Sequence, residues 1–199
     1  MSFVETPPGH RFPWYVRLFL ANQRRRYGRE LEPARLWGRS PKVFAGLSLL
    51  YGALDRKSSP LEPGLRTLVT VLVSRINWCA FCVDINSALG LKRGLSAEHL
   101  AALSDYERSP LFDARTKAAL AYAEAMTRTE ARVDAALRAR LKEVFDDVAI
   151  IELTALVAFQ NLSSKFNAAL DVSPQGFCPA AALGRRDAAG NGSSERGAS

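Results

Sequence analysis

The sequence predicts an all-α fold, and three observations support that prediction. Apolar residues recur with helical spacing along most of the chain, whereas alternating runs of β-branched residues, which form strands and hairpins, are missing. Residues that start and stop helices stand at the ends of these segments, such as Pro41 at a first helical position and Gly28 after a last turn. With 199 residues, 48% of them hydrophobic, the chain can fill one core.

The same signals place each helix in order. Gly28 ends the first, a short turn lies near residues 33–37, and Asn77 is expected to cap the helix that carries a Cys-x-x-Cys pair. Asp113 caps a later helix, and Asp146 or Asp147 starts the last long one. The predicted helices are 14–27, 41–54, 62–76, 78–93, 96–103, 114–127, 133–145 and 148 to about 170.

Positive charge is concentrated near the N-terminus. Residues 1–60 contain 11 Lys and Arg against 4 Asp and Glu, while residues 61–199 contain 16 of each, so the net charge of +7 lies in the first segment. We therefore expect a basic helical arm over residues 1–60, a helical domain over 61–178 and a disordered tail over 179–199. The neutral domain disfavours nucleic-acid binding. The arm, with Arg17 and Arg24 to Arg26, could dock an acidic partner or a membrane surface, although a solvated helix face is the commoner case.

The chain shows no sign of export or membrane insertion. No stretch reaches the roughly 18 uninterrupted apolar residues of a membrane span, and residues 1–8 lack the charged and apolar regions of a secretory signal. We expect a cytoplasmic protein. In a reducing cytosol, two close cysteines among three favour catalysis or metal binding over a structural disulfide.

Cys79 and Cys82 are the residues whose chemistry points to an activity. Two thiols at i and i+3 on a helix share one face, close enough for reversible disulfide formation. With Asn77 as the N-cap, Cys79 would lie at the second helical position, where free N–H groups favour a thiolate. The alternative is a pair of small buried hydrophobic residues.

Other uses of a cysteine pair fit less well. A zinc site needs about four ligands, and Cys178, His10 and His99 form no second paired spacing. Trp78 followed by Cys-x-x-Cys is similar to the thioredoxin motif, but that fold requires strands and the preceding residues predict a helix. No phosphate-binding loop or G-x-G-x-x-G motif is present, so we expect no metal, flavin or nucleotide cofactor.

Three segments together resemble a known family. They are residues 63–69 (PGLRTLV), residues 77–82 (NWCAFC), and the later residues 152–155 (ELTA) with 165–170 (KFNAAL). Over about residues 60–178 the chain resembles the carboxymuconolactone decarboxylase superfamily, and within it the alkyl hydroperoxide reductase AhpD-like branch. The resemblance implies an all-α fold, a trimeric or hexameric homo-oligomer, and hydroperoxide reduction in which the cysteine pair forms a disulfide that a thiol or lipoyl-type reductant reopens.

The family's proton relay is not intact in this sequence. Thr67 stands where the family has a glutamate and Asn86 where it has a histidine, and neither side chain is a base near neutral pH. Asn86 could still form a hydrogen bond to Cys82, and Glu152 could reach the site from the long last helix. Asp84 is expected to face away from Cys82. The resemblance gives the peroxide-attacking role to Cys82, whereas the helix-end argument favours Cys79, so the order stays open.

Two other activities are possible. The chain could be a family member with reduced or no catalysis, acting as a disulfide sensor or as a partner-binding oligomer. The lactone-decarboxylating branch is the least favoured, because it lacks the cysteine pair and uses a histidine, while His10 and His99 lie outside the expected site. Cys178 could fold back as a third redox thiol, although a lone loop cysteine more often has no role.

Overall fold

The computed structural model describes residues 2–179, and this part of the chain confirms the all-α prediction. It contains no strand there, and its regular elements are helices joined by short loops. The α-helices are α1 (Trp14–Tyr27), α2 (Glu32–Gly38), α3 (Pro41–Leu54), α4 (Pro63–Ile76), α5 (Ala80–Lys92), α6 (Ala97–Ala102), α7 (Ala114–Thr127), α8 (Ala135–Val144) and α9 (Asp147–Ala169), with a 3₁₀ turn, Leu103–Asp105, after α6.

Several helix ends are formed as the sequence predicts. The side chains of Asp113 and Asp146 accept hydrogen bonds from N–H groups in the first turns of α7 and α9. Gly28 ends α1 in the left-handed conformation, at φ 75°, where a residue without Cβ has no steric penalty. These features depend on neighbours a few residues apart, and for that reason they can be read from the sequence.

Two local predictions are wrong. Residues 32–38, which include the predicted turn, form helix α2, with Pro33 in its first turn. Asn77 does not cap α5, because it ends α4, and Cys79 itself is the N-cap of α5. The local reason is that Cys79 Sγ accepts the N–H of Cys82, a role that Asn would otherwise take.

Helix α4 lies at the centre of the core. It contacts α5, α7 and α9, and it is buried on nearly all sides, as its apolar sequence predicts. Because of this position, the end of α4 lies between the core and the second half of α9. The start of α5, which follows directly, lies there too. The N-terminal segment also reaches this end of the molecule, where the Phe3 N–H donates to the carbonyl of Leu170 at 2.7 Å.

Some sequence predictions concern other parts of the chain. The predicted tail over 179–199 lies outside the described residues, apart from residue 179. Within the described residues, no helix combines the length and the apolarity needed to cross a bilayer.

Candidate active site

The two cysteines lie at a sharp junction between α4 and α5. Trp78, between the helices, has φ 55°, which is unusual for a bulky residue, and its side chain is 87% exposed. The Cys79 N–H donates to the carbonyl of Ser74 at 3.0 Å. The Asn77 side chain donates to Asn161 Oδ1 and Ser164 Oγ, both at 2.9 Å, and so attaches the junction to α9. Trp78 therefore faces solvent, while its neighbour Cys79 faces inward.

Cys79 and Cys82 form a compact pair. The backbone N–H of Cys82 donates to Cys79 Sγ at 3.3 Å, and both cysteines are free thiols. Cys79 is 1% exposed and Cys82 is 3% exposed. The thiols are therefore close to each other and shielded from bulk water.

The shield around the thiols is apolar and comes from distant parts of the chain. Leu36 of α2 and Val172, beyond α9, belong to the same buried cluster as the two cysteines. Partly buried side chains complete it: Leu31, Ile85, Phe166, Leu170 and Phe177. Trp78 is not part of this cluster.

Helix α9 supplies the polar groups next to the pair. The side-chain amide of Asn167 donates to Cys82 Sγ at 3.2 Å, and Asn167 is 1% exposed. Gln160, two turns earlier on the same face, is 5% exposed and donates to Ser74 Oγ at 2.9 Å. Ser164 lies between them and is fully buried. A polar stripe on an otherwise apolar helix therefore faces the dithiol.

This arrangement separates the acidities of the two thiols. The pKa of Cys79 is lowered, first by the thiol of Cys82, which donates a hydrogen bond to its sulfur, and then by the Cys82 and Asn167 N–H groups, while burial acts in the opposite direction. The pKa of Cys82 is raised by that same shared proton, by burial and by the charge on Cys79. Cys79 is therefore the more acidic thiol of the pair.

Within the described residues, neither Thr67 nor Asn86 forms a hydrogen bond to the cysteines. Thr67 Oγ1 donates to the Pro63 carbonyl and accepts Arg93 Nη1 at 3.1 Å. Asn86 lines a cavity of about 40 Å³ together with Thr70 and Gln160. The side-chain amide that the structure places on Cys82 Sγ is that of Asn167, not that of Asn86.

Glu152 lies elsewhere on α9. Its carboxylate pairs with Arg56 and accepts the hydroxyl of Ser59 at 2.9 Å. Fifteen residues at about 1.5 Å each separate it from Asn167 by roughly 22 Å along the helix axis. The structure therefore does not bring Glu152 to the cysteines.

Asp84 faces away from the pair, as its helical position predicts. Its carboxylate is 1% exposed and accepts the backbone N–H groups of Gln175 at 2.9 Å and Cys178 at 2.7 Å. Cys178 is buried, and burial together with the charge of Asp84 raises the pKa of its thiol. This third thiol therefore lies beside Asp84 and is kept protonated.

Sequence reasoning did not find the role of Asn167 and Gln160. The signal that could have found it is the spacing of Gln160, Ser164 and Asn167, at i, i+4 and i+7, because this spacing puts three polar side chains on one face of a helix that is apolar enough to be buried.

Comparisons with known proteins agree with the fold. The sequence model of the carboxymuconolactone decarboxylase family matches residues 41–125. The uncharacterized protein YnjA of Escherichia coli (strain K12) is 45% identical over 172 residues, which cover 86% of this chain and 94% of YnjA.

Two solved structures have the same fold. An uncharacterized peroxidase-related protein from Silicibacter sp. TM1040 superimposes with a TM-score of 0.75 at 22% identity, covering 92% of this chain and 94% of that one. A protein described as an alkylhydroperoxidase AhpD core, from Ralstonia eutropha JMP134, gives a TM-score of 0.75 at 22% identity, covering 88% and 94%.

Proposed function

The chain belongs to the carboxymuconolactone decarboxylase family and has the fold of AhpD-like proteins, and from this premise we propose that it is a thiol-dependent peroxidase. Cys79 and Cys82 would reduce hydroperoxides through a dithiol–disulfide cycle. The observation that carries the proposal is the buried pair itself, in which Cys79 Sγ accepts the N–H of Cys82 at 3.3 Å and Cys82 Sγ accepts the Asn167 amide at 3.2 Å.

The proposed cycle has three steps. The Cys79 thiolate attacks the terminal oxygen of the hydroperoxide; an S–O bond forms as the O–O bond breaks, the sulfur loses two electrons, and the alkoxide leaves and takes up a proton. Cys82 gives up its proton and attacks the sulfenic sulfur, so the S–S bond forms and the hydroxyl leaves as water. A dithiol reductant then reopens the disulfide by exchange and is itself oxidised.

Acidity supports Cys79 as the first nucleophile. Its thiol has the lowered pKa, and the thiolate is the reacting form. The raised pKa of Cys82 suits the second step, because a protonated partner does not compete for the oxidant. Isolation of the pair from bulk water also protects the sulfenic acid from a second oxidation.

The test is hydroperoxide consumption by the reduced protein, followed by mass spectrometry of the thiols. Wild type should consume one equivalent and form the Cys79–Cys82 disulfide. Cys79→Ser should react no faster than free cysteine, and Cys82→Ser should stop at a sulfenic acid on Cys79. Cys178→Ser is the matched control and should behave as wild type.

Other outcomes would change the proposal. A sulfenic acid on Cys82 in Cys79→Ser would reverse the order of attack. If peroxide leaves both thiols reduced while a small disulfide such as oxidised glutathione oxidises them, the protein is a disulfide sensor or reductase. If neither reagent oxidises the pair in the folded protein, the partner-binding alternative stands.

A further inference from the structure

Three structural features of Asn167 point to a role for it beside the cysteine pair. Its side chain is 1% exposed, its Nδ2 donates to Cys82 Sγ at 3.2 Å, and its Oδ1 has no hydrogen-bond partner within the described residues. A buried amide oxygen without a donor is unfavourable, so it is seldom retained without a reason.

We propose that Asn167 is the positioning residue of the dithiol: its amide holds Cys82 against Cys79, stabilises the Cys82 thiolate when the disulfide closes, and accepts the hydroxyl of the sulfenic acid through Oδ1. This inference rests on the proposed peroxidase cycle for its last part. The first two parts concern the reduced protein and can be tested without any oxidant.

The first part follows from two hydrogen bonds and one pKa effect. The Asn167 N–H donates to the Cys82 sulfur, the Cys82 backbone N–H donates to the Cys79 sulfur, and the Cys82 thiol is the largest cause of the lowered pKa of Cys79. Successive hydrogen bonds polarise one another, so a donor on the Cys82 sulfur makes the Cys82 proton a better donor to Cys79. Asn167 also contributes directly to a lower pKa of both thiols.

The second part follows from what must change during the cycle. Once Cys79 is a sulfenic acid, Cys82 has lost its anionic acceptor and must itself become the thiolate. The cluster that holds the pair is apolar: Leu36 and Val172 belong to it, and Phe166 packs against it. Within the described residues, the polar groups that act on Cys82 are those of Cys79, Asn167 and Gln160. Asn167 therefore supplies the N–H that a buried thiolate needs.

The third part explains the unpaired oxygen. A thiol is a weak hydrogen-bond donor, whereas a sulfenic acid has an O–H group. The amide nitrogen can only donate, so Oδ1 is the amide atom that can accept this new donor. The amide oxygen without a partner in the reduced protein would therefore gain one in the oxidised intermediate.

The test compares Asn167→Leu with Asn161→Leu. Leucine has a similar shape, and its apolar side chain suits the surrounding cluster. Asn161 lies on the same helix but bonds Thr127 and Asn77 rather than a sulfur, so its substitution is a control for a purely structural loss. The readouts are the pH dependence of Cys79 alkylation by iodoacetamide, without peroxide, and the lifetime of the sulfenic acid trapped with dimedone.

The expected result is specific to Asn167. Asn167→Leu should slow Cys79 alkylation at pH 7 by about tenfold and move its midpoint to higher pH, because the thiolate loses donors. The sulfenic acid should persist about tenfold longer. Asn161→Leu should lower the melting temperature and leave the alkylation midpoint in place.

An unchanged alkylation midpoint in folded Asn167→Leu would overturn the inference, whether or not the protein reduces peroxide. If Asn167→Leu does not melt cooperatively, Asn167→Asp takes its place; a carboxylate of the same size should move the midpoint further upward, and no upward shift would overturn the inference. A shifted midpoint without any reaction with peroxide would support the positioning role and reject the peroxidase.

Discussion

Asp84 and Cys178 are joined by a hydrogen bond of 2.7 Å from the Cys178 N–H to Asp84 Oδ1, although 94 residues separate them in sequence. The other carboxylate oxygen accepts the Gln175 N–H at 2.9 Å. One buried carboxylate on α5 thus fixes the C-terminal segment 171–178. Val172 and Phe177 of this segment belong to the cluster that covers the cysteine pair.

The first prediction concerns this attachment. Asp84→Asn keeps one acceptor but turns an NH₂ group toward a backbone donor, and loss of a hydrogen bond to a buried charge costs about 2 kcal/mol of unfolding free energy. Urea denaturation should show that loss. Cys178 should also react faster with a thiol reagent such as DTNB, since its pKa loses the upward effect of the charge on Asp84. Asp105→Asn, at an exposed position, should change neither quantity.

The second prediction concerns the acidity of Cys79. Because the Cys82 thiol is the main cause of the lowered Cys79 pKa, Cys82→Ala should raise that pKa and decrease the thiolate fraction at pH 7. The pH titration of thiolate absorbance near 240 nm measures the change, and Cys178→Ala is the control. A Cys79 titration that is the same with and without Cys82 would contradict the proposed proton sharing.

The third prediction concerns two tryptophans in opposite environments. Trp37 stacks on Phe166, with ring centroids 3.5 Å apart, so Trp37→Ala should cost about 3 kcal/mol. Trp78 is 87% exposed and has φ 55°, which glycine adopts freely. Trp78→Gly should therefore change the stability of the monomer by less than about 1 kcal/mol. Thermal melting of both variants checks this contrast.

The fourth prediction concerns the packing of α5 on α4. A Cβ added at Gly90 would lie 3.0 Å from Thr67 Cγ2 and 3.2 Å from Leu95 Cδ1, so Gly90→Ala should destabilise by about 1–2 kcal/mol despite the better helix propensity of alanine. At Gly52, in α3, an added Cβ meets nothing within 4 Å. Gly52→Ala should stabilise by roughly 0.5 kcal/mol. Equal effects of the two substitutions would contradict the close approach at Gly90.

The fifth prediction concerns Glu152. The hydrogen bond from Arg56 is the main cause of its lowered pKa, so the carboxylate stabilises the folded state above the ordinary glutamate value of 4.5, and this stability is lost as pH falls through the folded pKa. Glu152→Gln should cost up to about 1 kcal/mol at pH 7, since Arg56 is partly exposed, and close to nothing near pH 2. Peroxide consumption by Glu152→Gln should not change. A marked loss of peroxide consumption would show that Glu152 does take part in the reaction.

The sequence predicts most of the fold because its signals are local. The caps are local: Asp113 and Asp146 start their helices and Gly28 ends one, each through contacts within one turn. These helices are found where the sequence predicts them. Asn77 is a residue for which this local reasoning gives the wrong prediction. Its type suits an N-cap, but its side chain binds Asn161 and Ser164 across the core, and the adjacent Cys79 takes the cap position.

The sequence alone determined the all-α class, the helix order and the cysteine pair, because helical periodicity and caps arise from contacts between near neighbours. Only the tertiary structure decided which polar groups serve that pair. Asn167 reaches Cys82 from 85 residues away, and Glu152, on the same helix, pairs with Arg56 instead. The rotation of α9 and its position along α4 and α5 are set by the packing of the whole core, and no local pattern specifies them.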